Sequence, residues 1–502
     1  MSIEKGSDDA LQTLVYPVYQ ESLKRLSDVP HVGQLLDSAA LRPHMGARNA
    51  VTWFYGRQGQ PDIVLVGLGD TAPFHPARIR EAAGNTGRTA VKEQCRSALV
   101  SFQVLWDGET SSCLETEAVT AWVEGWRLGT YSFDKYKAKN HERVLPILRF
   151  EGETNADVQD AIRRGEIHSA GTQWARNLAN EPANHLRPFT LVERVKERFT
   201  GTAVEIKVFT GEELERLELA GMIAVGKGSA FPPAFIELRY CTDESKPLTA
   251  LIGKGITFDT GGVSLKRDND ISDMRMDMAG AAGVLGALDI LVKSGASANV
   301  AVLVPAAENV ISGHCLLPSD VILYANGLTV QVGNTDSEGR LILADALIYA
   351  HRIGAAEAID MATLTYSVVG ALGSKIAGIF GDDELARSLI NAGDPFGEKV
   401  WQLPLVDEYE SYLESDYAEI INISRGEGAG AIMAALFLRK FVHPSLRWAH
   451  IDMNGPKASS SANGAHAIGA TGFGARLLAS FVMGRDKKAL IKEDRGEPWK
   501  KP

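Results

Sequence analysis

Two carboxylates and an arginine are crowded into the segment N-T-D-S-E-G-R at 334–340, directly before the apolar run 341–350. Taken alone, the segment is typical of a polar turn that begins a helix. Asn, Thr, Asp and Ser favour helix starts, and an acidic residue in the first turn suits the helix dipole. That interpretation is favoured on the local sequence, and half of a metal site formed by the carboxylates of Asp336 and Glu338 is the alternative. The local sequence therefore leaves two interpretations open.

A second polar segment, G-K-G-I-T-F-D-T-G-G-V-S-L-K at 253–266, bears on that choice. Lys254 directly follows the apolar run 248–253, where a charge is costly unless another group compensates it. Asp259 comes five residues later, and the glycines at 255, 261 and 262 allow the backbone to bend so that both side chains converge. Asp277 follows near a predicted helix start. Each residue alone also has an ordinary interpretation, as a surface lysine or a helix-terminal acid.

The elements that must position these residues follow from the apolar patterning. Short runs at 50–55, 62–69 and 98–106 predict strands of a small α/β domain, and the spacing over 155–180 predicts a helix. The continuous runs 248–253 and 299–304 predict buried parallel strands on either side of a Gly- and Ala-rich helix at about 272–293. Asn326-Gly327 predicts a two-residue hairpin within 321–332.

We therefore predict an α/β protein with a smaller N-terminal α/β domain at 1–154 and a helical connector at 155–184. A larger C-terminal α/β domain follows at 185–490, with a mixed central sheet flanked by helices. Open α/β sheets bind ligands at the carboxyl ends of their strands. Several buried carboxylates at that edge would repel one another unless cations neutralised them. Oxygen ligands with few histidines suit Mg²⁺, Mn²⁺ or Zn²⁺.

Composition restricts the function classes. The 502 residues, 45% hydrophobic and 23% charged, are typical of a globular protein, and a net charge of −11 argues against nucleic acid or an anionic membrane as the main partner. We find no window of ~18 apolar residues and no secretory signal. Four scattered cysteines without C-x-x-C spacing favour a reducing compartment, hence the cytoplasm. G-L-G-D at 67–70 lacks the third glycine of a dinucleotide loop and is interpreted as a strand ending in a turn.

The two polar segments also carry a family resemblance. N-T-D-S-E-G-R-L resembles the signature of the leucyl aminopeptidase family (the M17 cytosol aminopeptidases), and 253–266 resembles that family's other metal-binding segment. The resemblance runs from about 170 to 485, and the N-terminal domain resembles the family only in layout. Further matching segments are M-D-M-A-G-A-A (276–282), A-T-L-T (362–365), E-K-V-W-Q-L-P-L (398–405), W-A-H-I-D (448–452) and A-R-N-L-A-N-E-P-A-N (175–184).

The resemblance implies an aminopeptidase with two divalent ions, Zn²⁺ or Mn²⁺, with Mg²⁺ and Co²⁺ as alternatives. Asp259 and Glu338 would bridge the ions, Lys254 and Asp277 would complete one site, and Asp336 would complete the other. It further implies peptide substrates and a homohexamer.

Two cations complete the implied machinery. Lys266 would stabilise the oxyanion of the scissile carbonyl, and Arg340 would hold a bicarbonate ion that serves as the general base.

The implied pocket for the first side chain departs from the family pattern. Tyr366 stands where a glycine is usual, and the two positions after W-A-H-I-D that are small or apolar in the family are Asn454 and Lys457. The polar residues favour acidic N-terminal residues. If Lys457 points to solvent, an ordinary leucine-preferring enzyme results. Residues that match the family pocket, or adjoin a match, are Met274, Thr363 and Leu364.

Ser337 is a further departure, since the family usually has alanine between the two ligands. Two other functions remain alternatives: a two-metal phosphoesterase, because carboxylates with Lys and Arg also serve phosphoryl transfer, and an inactive scaffold that keeps the fold. The lysine among the metal ligands favours the peptidase, and all seven implied positions are present.

Overall fold

Strands and helices alternate along most of the chain. The computed structural model describes residues 13–29, 32, 41–57, 59–70, 74–105, 112–138, 145–267, 271–426 and 428–488. The chain divides into two units, one of Met1–Gln173 with Ser459–Gly469 and one of Trp174–Ala458 with Ala470–Pro502. The predicted α/β class, with a smaller N-terminal and a larger C-terminal domain, is confirmed. The boundaries 1–154, 155–184 and 185–490 stay a prediction.

The first unit is built on a sheet in which, among the described residues, five strands lie in the order β2-β3-β1-β4-β5. Only β2 is antiparallel to its neighbour. The strand predicted over 98–106 ends early, and the strand predicted over 62–69 ends in a turn at Gly69, where φ is +88°. The strands are β1 (Thr13–Val18), β2 (Val51–Phe54), β3 (Ile63–Gly67), β4 (Ser97–Val100) and β5 (Ile147–Phe150).

Helices of the first part of the chain are α1 (Pro76–Lys92), α2 (Ser112–Gly129) and α3 (Ala156–Asn180). Helix α3 matches the helix predicted over 155–180. It ends just before Pro182, which cannot continue the backbone hydrogen-bond ladder. None of the described helices is both long and apolar enough to cross a membrane.

The second unit contains a mixed sheet, and nine strands of the described chain belong to it. From residue 204 onward, the strands of the chain, whether or not they belong to this sheet, are β6 (Val204–Thr210), β7 (Ala234–Cys241), β8 (Thr249–Gly253), β9 (Gly255–Asp259), β10 (Asn299–Asn309), β11 (Val321–Leu323), β12 (Thr329–Gln331), β13 (Glu357–Ala362), β14 (Ala377–Gly381), β15 (Val400–Gln402), β16 (Ile420–Ile421), β17 (Arg447–Asp452), β18 (Ala458–Ser459) and β19 (Gly469–Ala470). The spatial order is β15-β14-β17-β13-β8-β10-β7-β6, with β9 also paired to β10.

The remaining helices are α4 (Pro188–Phe199), α5 (Glu212–Arg216), α6 (Ala220–Gly226), α7 (Ala279–Lys293), α8 (Glu338–Arg352), α9 (Tyr366–Leu372), α10 (Asp383–Gly393), α11 (Gly430–Arg439) and α12 (Ala475–Lys488). The apolar run after N-T-D-S-E-G-R forms most of α8, and its side chains pack into a core with those of β8, β10 and β13. Burial of this face, rather than local propensity, stabilises the helix.

Three predicted elements differ in detail. The helix predicted over 272–293 begins as α7 only at Ala279, because 271–278 form a 3₁₀ helix in which Asp277 is bonded to other elements. The strand predicted over 299–304 continues to Asn309. The hairpin within 321–332 is present, but Tyr324 N donates to Leu328 O at 2.9 Å and leaves three residues in the loop, with Gly327 at φ +86°.

Parallel pairing determines where the polar segments meet. Strands β17, β13, β8 and β10 run parallel to one another, and β9 runs parallel to β10. Their carboxyl ends therefore lie along one edge of the sheet, at 253–254, 259, 309, 362 and 452. Residues that are far apart in the sequence come together at this edge.

Candidate metal centre

Lys254 occupies the one-residue junction between β8 and β9, which pair with β10 in the same parallel register. Its side chain is 4% exposed, and its Nζ lies 2.8 Å from Asp277 Oδ2 and 2.8 Å from Glu338 Oε1. The backbone is tied on both sides, since Lys254 N donates to Met361 O and Lys254 O accepts from Ala281 N. Lys254 of the segment 253–266 thus contacts acidic side chains of the segments around 277 and 338.

Lys266 forms the second cationic contact of the cluster. Its Nζ lies 2.7 Å from Asp259 Oδ2 and also pairs with Asp336 Oδ1. The loop between Asp259 and Lys266 turns through Gly261, where φ is +87°. A β-carbon on Gly261 would lie 2.6 Å from Ser264 O and 2.8 Å from Asp336 Oδ1, so only glycine fits at this turn.

The segment 334–338 is a turn that presents its carboxylates to this loop. Asn334 Oδ1 accepts a hydrogen bond from Asp336 N at 2.7 Å, and Thr335 Oγ1 donates to Gly261 O at 2.6 Å. Ser337 occupies the N-cap position of α8, but its side chain makes no capping hydrogen bond. A helix-capping role alone therefore does not account for the crowding of polar residues in N-T-D-S-E-G-R.

Three carboxylates of the cluster converge closely enough to share a cation. One oxygen from each of Asp259, Asp336 and Glu338 lies within 4.8 Å of the other two. Glu338 Oε2 is buried and has no hydrogen-bond partner in the described part of the chain. A buried carboxylate oxygen without a donor is unfavourable, and a metal ion would satisfy it.

The electrostatics of the cluster also indicate that it favours a bound cation. Burial raises the pKa of Asp336 to about 6, and the charges of Asp259 and Glu338 act in the same direction. Burial also raises the pKa values of Asp259 and Asp277. Burial opposes the charged form of Lys254, but the surrounding carboxylates outweigh it and raise the lysine pKa. Four carboxylates face two ammonium groups, so the cluster favours additional positive charge.

Arg340 lies in the first turn of α8 and is 8% exposed. Its Nη1 donates to Asn422 O at 2.8 Å. Among the described residues, its buried Nε has no hydrogen-bond partner and no carboxylate lies within ion-pair distance. Burial lowers the pKa of Arg340 to about 10, against the opposing charges of Glu338 and Asp452. A buried guanidinium with an unused N–H is suited to binding an anion.

The predicted pocket residues begin next to Asp277. Thr363 Oγ1 donates to Asp277 Oδ1 at 2.7 Å, and Thr363 O accepts from Lys254 Nζ at 3.3 Å. Met274 is buried in the 3₁₀ helix that carries Asp277. Leu364 is half-buried and packs against the hydrophobic core. Thr363 is therefore the one of these residues with a direct contact to the cluster.

Of the other three predicted pocket residues, Lys457 lies close to both Asn454 and Tyr366. Lys457 Nζ donates to Asn454 Oδ1 at 2.7 Å and lies 5.8 Å from the centroid of the Tyr366 ring. Asn454 Nδ2 donates to Thr365 O at 2.9 Å, which links this group to the segment that contains Thr363. Asn454 is buried, whereas Tyr366 is 49% exposed.

Three residues that orient the site were not identified from the sequence. Asn309 Nδ2 donates to Asp259 Oδ1 at 2.8 Å and to Thr335 O. Asn422 Oδ1 accepts from Gly333 N at 2.7 Å and its Nδ2 donates to Asn334 O.

Asp452 accepts hydrogen bonds from Leu364 N and Thr365 Oγ1. Asn309 and Asp452 could have been found from the sequence, because each is a polar residue at the end of an apolar strand run. Asn422 follows only a two-residue strand and had no comparable signal.

Comparisons with known proteins show similarity over most of the chain. The cytosol aminopeptidase family's catalytic-domain model matches residues 173–479, and its N-terminal-domain model matches 24–140. A probable cytosol aminopeptidase of Chlorobium limicola is 37% identical over 490 residues, covering 94% of this chain and 96% of the relative. One of Chlorobaculum tepidum is 40% identical over 439 residues, covering 84% and 86%.

Two solved structures are similar over nearly the whole chain. A mutant of tomato leucine aminopeptidase gives a TM-score of 0.85 at 31% identity and covers 96% of this chain and 95% of its own. The bottromycin maturation enzyme BotP, in complex with Mn, gives a TM-score of 0.83 at 30% identity and covers 95% and 100%.

Proposed function

Because the chain belongs to the cytosol aminopeptidase family and is a metal-dependent aminopeptidase, we propose that it removes N-terminal residues from peptides with two divalent ions held by its carboxylate cluster. The observation that carries this proposal is the convergence of Asp259, Asp336 and Glu338 within 4.8 Å. The free oxygen of Glu338 and the excess of negative charge support it.

The residues that would hold the ions are the five that the sequence pattern indicated. Asp259 and Glu338 would be shared, Lys254 and Asp277 would serve one ion, and Asp336 the other. Carboxylate oxygens with one amine suit Zn²⁺ or Mn²⁺, and also Mg²⁺ or Co²⁺. An amine ligates only when neutral, so metal binding at Lys254 requires the release of its proton.

When bound, the ions supply Lewis acidity and a water of lowered pKa. The protein's own residues then have distinct tasks. Lys266, whose side chain is 8% exposed, would donate a hydrogen bond to the developing oxyanion of the scissile carbonyl. Burial strengthens this interaction because little water competes for the ammonium.

Arg340 would hold an anion near the centre through its unused Nε–H. Bicarbonate fits this role and would supply a general base, since the motif carboxylates of the centre are all engaged in the cluster. Asn422 O holds one end of the guanidinium, so the remaining N–H groups keep a fixed direction. Pre-orientation of this kind reduces the entropy cost of binding the anion.

The test combines metal analysis with assays on the purified protein. Chelation should abolish hydrolysis of an aminoacyl amide, and Mn²⁺, Zn²⁺ or Co²⁺ should restore it, with about two ions bound per chain. Glu338→Gln should lower the metal content, whereas the matched Glu205→Gln on exposed β6 should not.

Three results would reject the proposal. They are full turnover by protein confirmed to be metal-free, turnover of a phosphate ester instead of the amide, or no turnover with two ions bound. The second outcome would identify a phosphoesterase, and the third an inactive scaffold.

We also propose a cytoplasmic homohexamer. Ile311, Leu317, Val321 and Leu323 are 49–64% exposed within one short stretch of the second unit, and apolar side chains of this kind support contact with further copies. The free thiols of Cys95, Cys241 and Cys315 are consistent with a reducing compartment. Light scattering should give six times the chain mass of 54.2 kDa. Leu323→Asp should reduce that mass, and a monomer in the wild type would reject the hexamer.

A further inference from the structure

Lys457 is a half-buried cation that no acidic side chain of the described residues pairs with. Its ammonium donates to the neutral Asn454 Oδ1 at 2.7 Å and lies over the Tyr366 ring. In the described part of the chain, no carboxylate lies within ion-pair distance of Lys457. Burial lowers the pKa of Lys457, and Asp277 and Asp273 only partly oppose that effect. An ammonium in this position gains from a nearby anion.

The backbone around Lys457 is held firmly. Lys457 N donates to Met453 O at 3.1 Å, and Lys457 O accepts from Thr471 N at 3.0 Å. Thr471 Oγ1 donates to Pro456 O at 2.6 Å, so the same threonine ties two successive residues. A fixed backbone limits how far the side chain can swing to solvent, and the charge is therefore pre-positioned.

Asn454 determines where the ammonium points. Its Nδ2 donates to Thr365 O, and this bond orients Oδ1 toward Lys457. The amide accepts one N–H of the ammonium, which leaves the other donors available. Asn454 is thus a positioning residue.

This group lies within electrostatic reach of the carboxylate cluster. Tyr366 follows Thr363 by three residues, and Thr363 is bonded to Asp277. The charges of Lys266 and Asp277 act on the pKa of the Tyr366 phenol, which burial raises. A side chain that extends from a peptide N-terminus at the centre would therefore encounter both Tyr366 and Lys457.

We infer that Lys457 selects peptides whose N-terminal side chain is acidic, because the carboxylate of Asp or Glu pairs with its ammonium beside Tyr366. An apolar side chain such as leucine would cover the ammonium without pairing it, and a site with an unpaired buried polar group discriminates against such a ligand. This inference rests on the proposed aminopeptidase function and specifies its substrate class.

The first measurement is kcat/KM for amides of Glu, Asp, Gln, Leu and Met with metal-loaded enzyme. Gln matches the shape of Glu without its charge. We expect Glu or Asp to exceed Gln and Leu by about tenfold or more. Calorimetry with free L-glutamate, L-glutamine and L-leucine gives a readout that does not depend on turnover, and glutamate should bind most tightly.

Three variants separate charge from shape. Lys457→Met should reverse the preference so that Leu exceeds Glu, while Lys457→Arg should keep the acidic preference. Asn454→Asp should suppress it, because it places a carboxylate on the ammonium from within the protein. The control Lys207→Met removes an exposed lysine on β6, at the far edge of the sheet, and should leave the ratio unchanged. Thermal unfolding and metal content verify that each variant is folded.

The outcomes distinguish the two proposals. If Leu exceeds Glu about tenfold in the wild type and in Lys457→Met, with turnover that chelation abolishes, the acidic preference is wrong and the aminopeptidase function stands. If Glu leads but Lys457→Met keeps that lead, Lys457 is not the selecting residue. If no amide is hydrolysed with two ions bound, both proposals fail.

Discussion

Gly339 and Lys254 approach each other so closely that a β-carbon on Gly339 would lie 2.6 Å from Lys254 Cε and 2.7 Å from Nζ. Gly339 is the second residue of α8, and Lys254 joins β8 to β9. The missing side chain lets the lysine pass over the start of the helix and reach Glu338 and Asp277. The glycine of N-T-D-S-E-G-R is therefore needed because a side chain at this position would collide with Lys254.

Gly339→Ala should displace the Lys254 ammonium and weaken metal binding by roughly 10–100-fold, the usual effect of disturbing the support of a metal ligand. Calorimetric titration of chelated protein with Mn²⁺ or Zn²⁺ measures this. The matched control is Gly484→Ala in α12, where a β-carbon meets nothing within 4 Å. That helical replacement should raise stability by about 0.5–1 kcal/mol and leave metal affinity unchanged. Equal affinities in both variants would contradict the packing argument.

Lys266→Ala should lower kcat by roughly 10²–10³, the usual cost of losing one oxyanion donor. Metal content should not fall, because the ammonium competes with cations for Asp259 and Asp336 rather than holding the ions. Steady-state kinetics and elemental analysis on the same preparation separate the two effects. If the variant loses its ions, Lys266 belongs to the metal-binding groups instead. Lys207→Ala on exposed β6 serves as the control.

Asn422→Ala should lower both the thermal unfolding midpoint and the metal affinity. The side chain is fully buried, and its Oδ1 and Nδ2 bond to the backbone at 333–334, just before the metal-binding turn. Removing it leaves half-buried backbone groups at 333–334 without this partner, at a cost of about 1 kcal/mol each. Differential scanning calorimetry and metal titration should show both changes. Asn391→Ala, on the exposed face of α10, should show neither.

Asp345 should make stability fall as pH rises. It is buried in α8, its Oδ2 accepts from Met222 N at 2.7 Å, and burial raises its pKa from 3.8 to about 8. Between these values the unfolded chain releases the proton while the folded chain retains it. The free energy of unfolding therefore decreases with pH across this window, by at most about 1.4 kcal/mol per unit.

The comparison with Asp345→Asn isolates this effect. From pH 5 to 8, the wild-type unfolding midpoint should fall relative to that of the variant, which has no proton to release at this position. Chelator in all samples removes the contribution of metal binding. Parallel curves for the two proteins would show that Asp345 is ionised in the folded state or that its burial is relieved by local opening.

The residues proposed to hold the metal ions and the oxyanion could be selected from the sequence because their pattern is local. Lys254, Asp259 and Lys266 fall within one stretch of 14 residues, and Asp336 to Arg340 fall within another. The apolar run 248–253, long enough for a buried strand, stood directly before the first stretch, and this indicated the edge of a parallel sheet. Local patterning was less accurate for Asp277, since the 3₁₀ helix that carries it is tied by a hydrogen bond to Thr363, which directly follows β13 and is distant in sequence.

By itself, then, the sequence determined the residue types of the centre, the α/β class and the family, since each depends on neighbours along the chain. Only the tertiary structure decided that Asn309 and Asn422 support the centre, because strand order brings them to it and strand order depends on the packing of the whole core. The contacts of Lys457 likewise became visible only in the tertiary structure. Its N–H donates to Met453 O, its carbonyl accepts from Thr471 N, and its ammonium donates to Asn454 near the Tyr366 ring, because the fold brings these separate segments together.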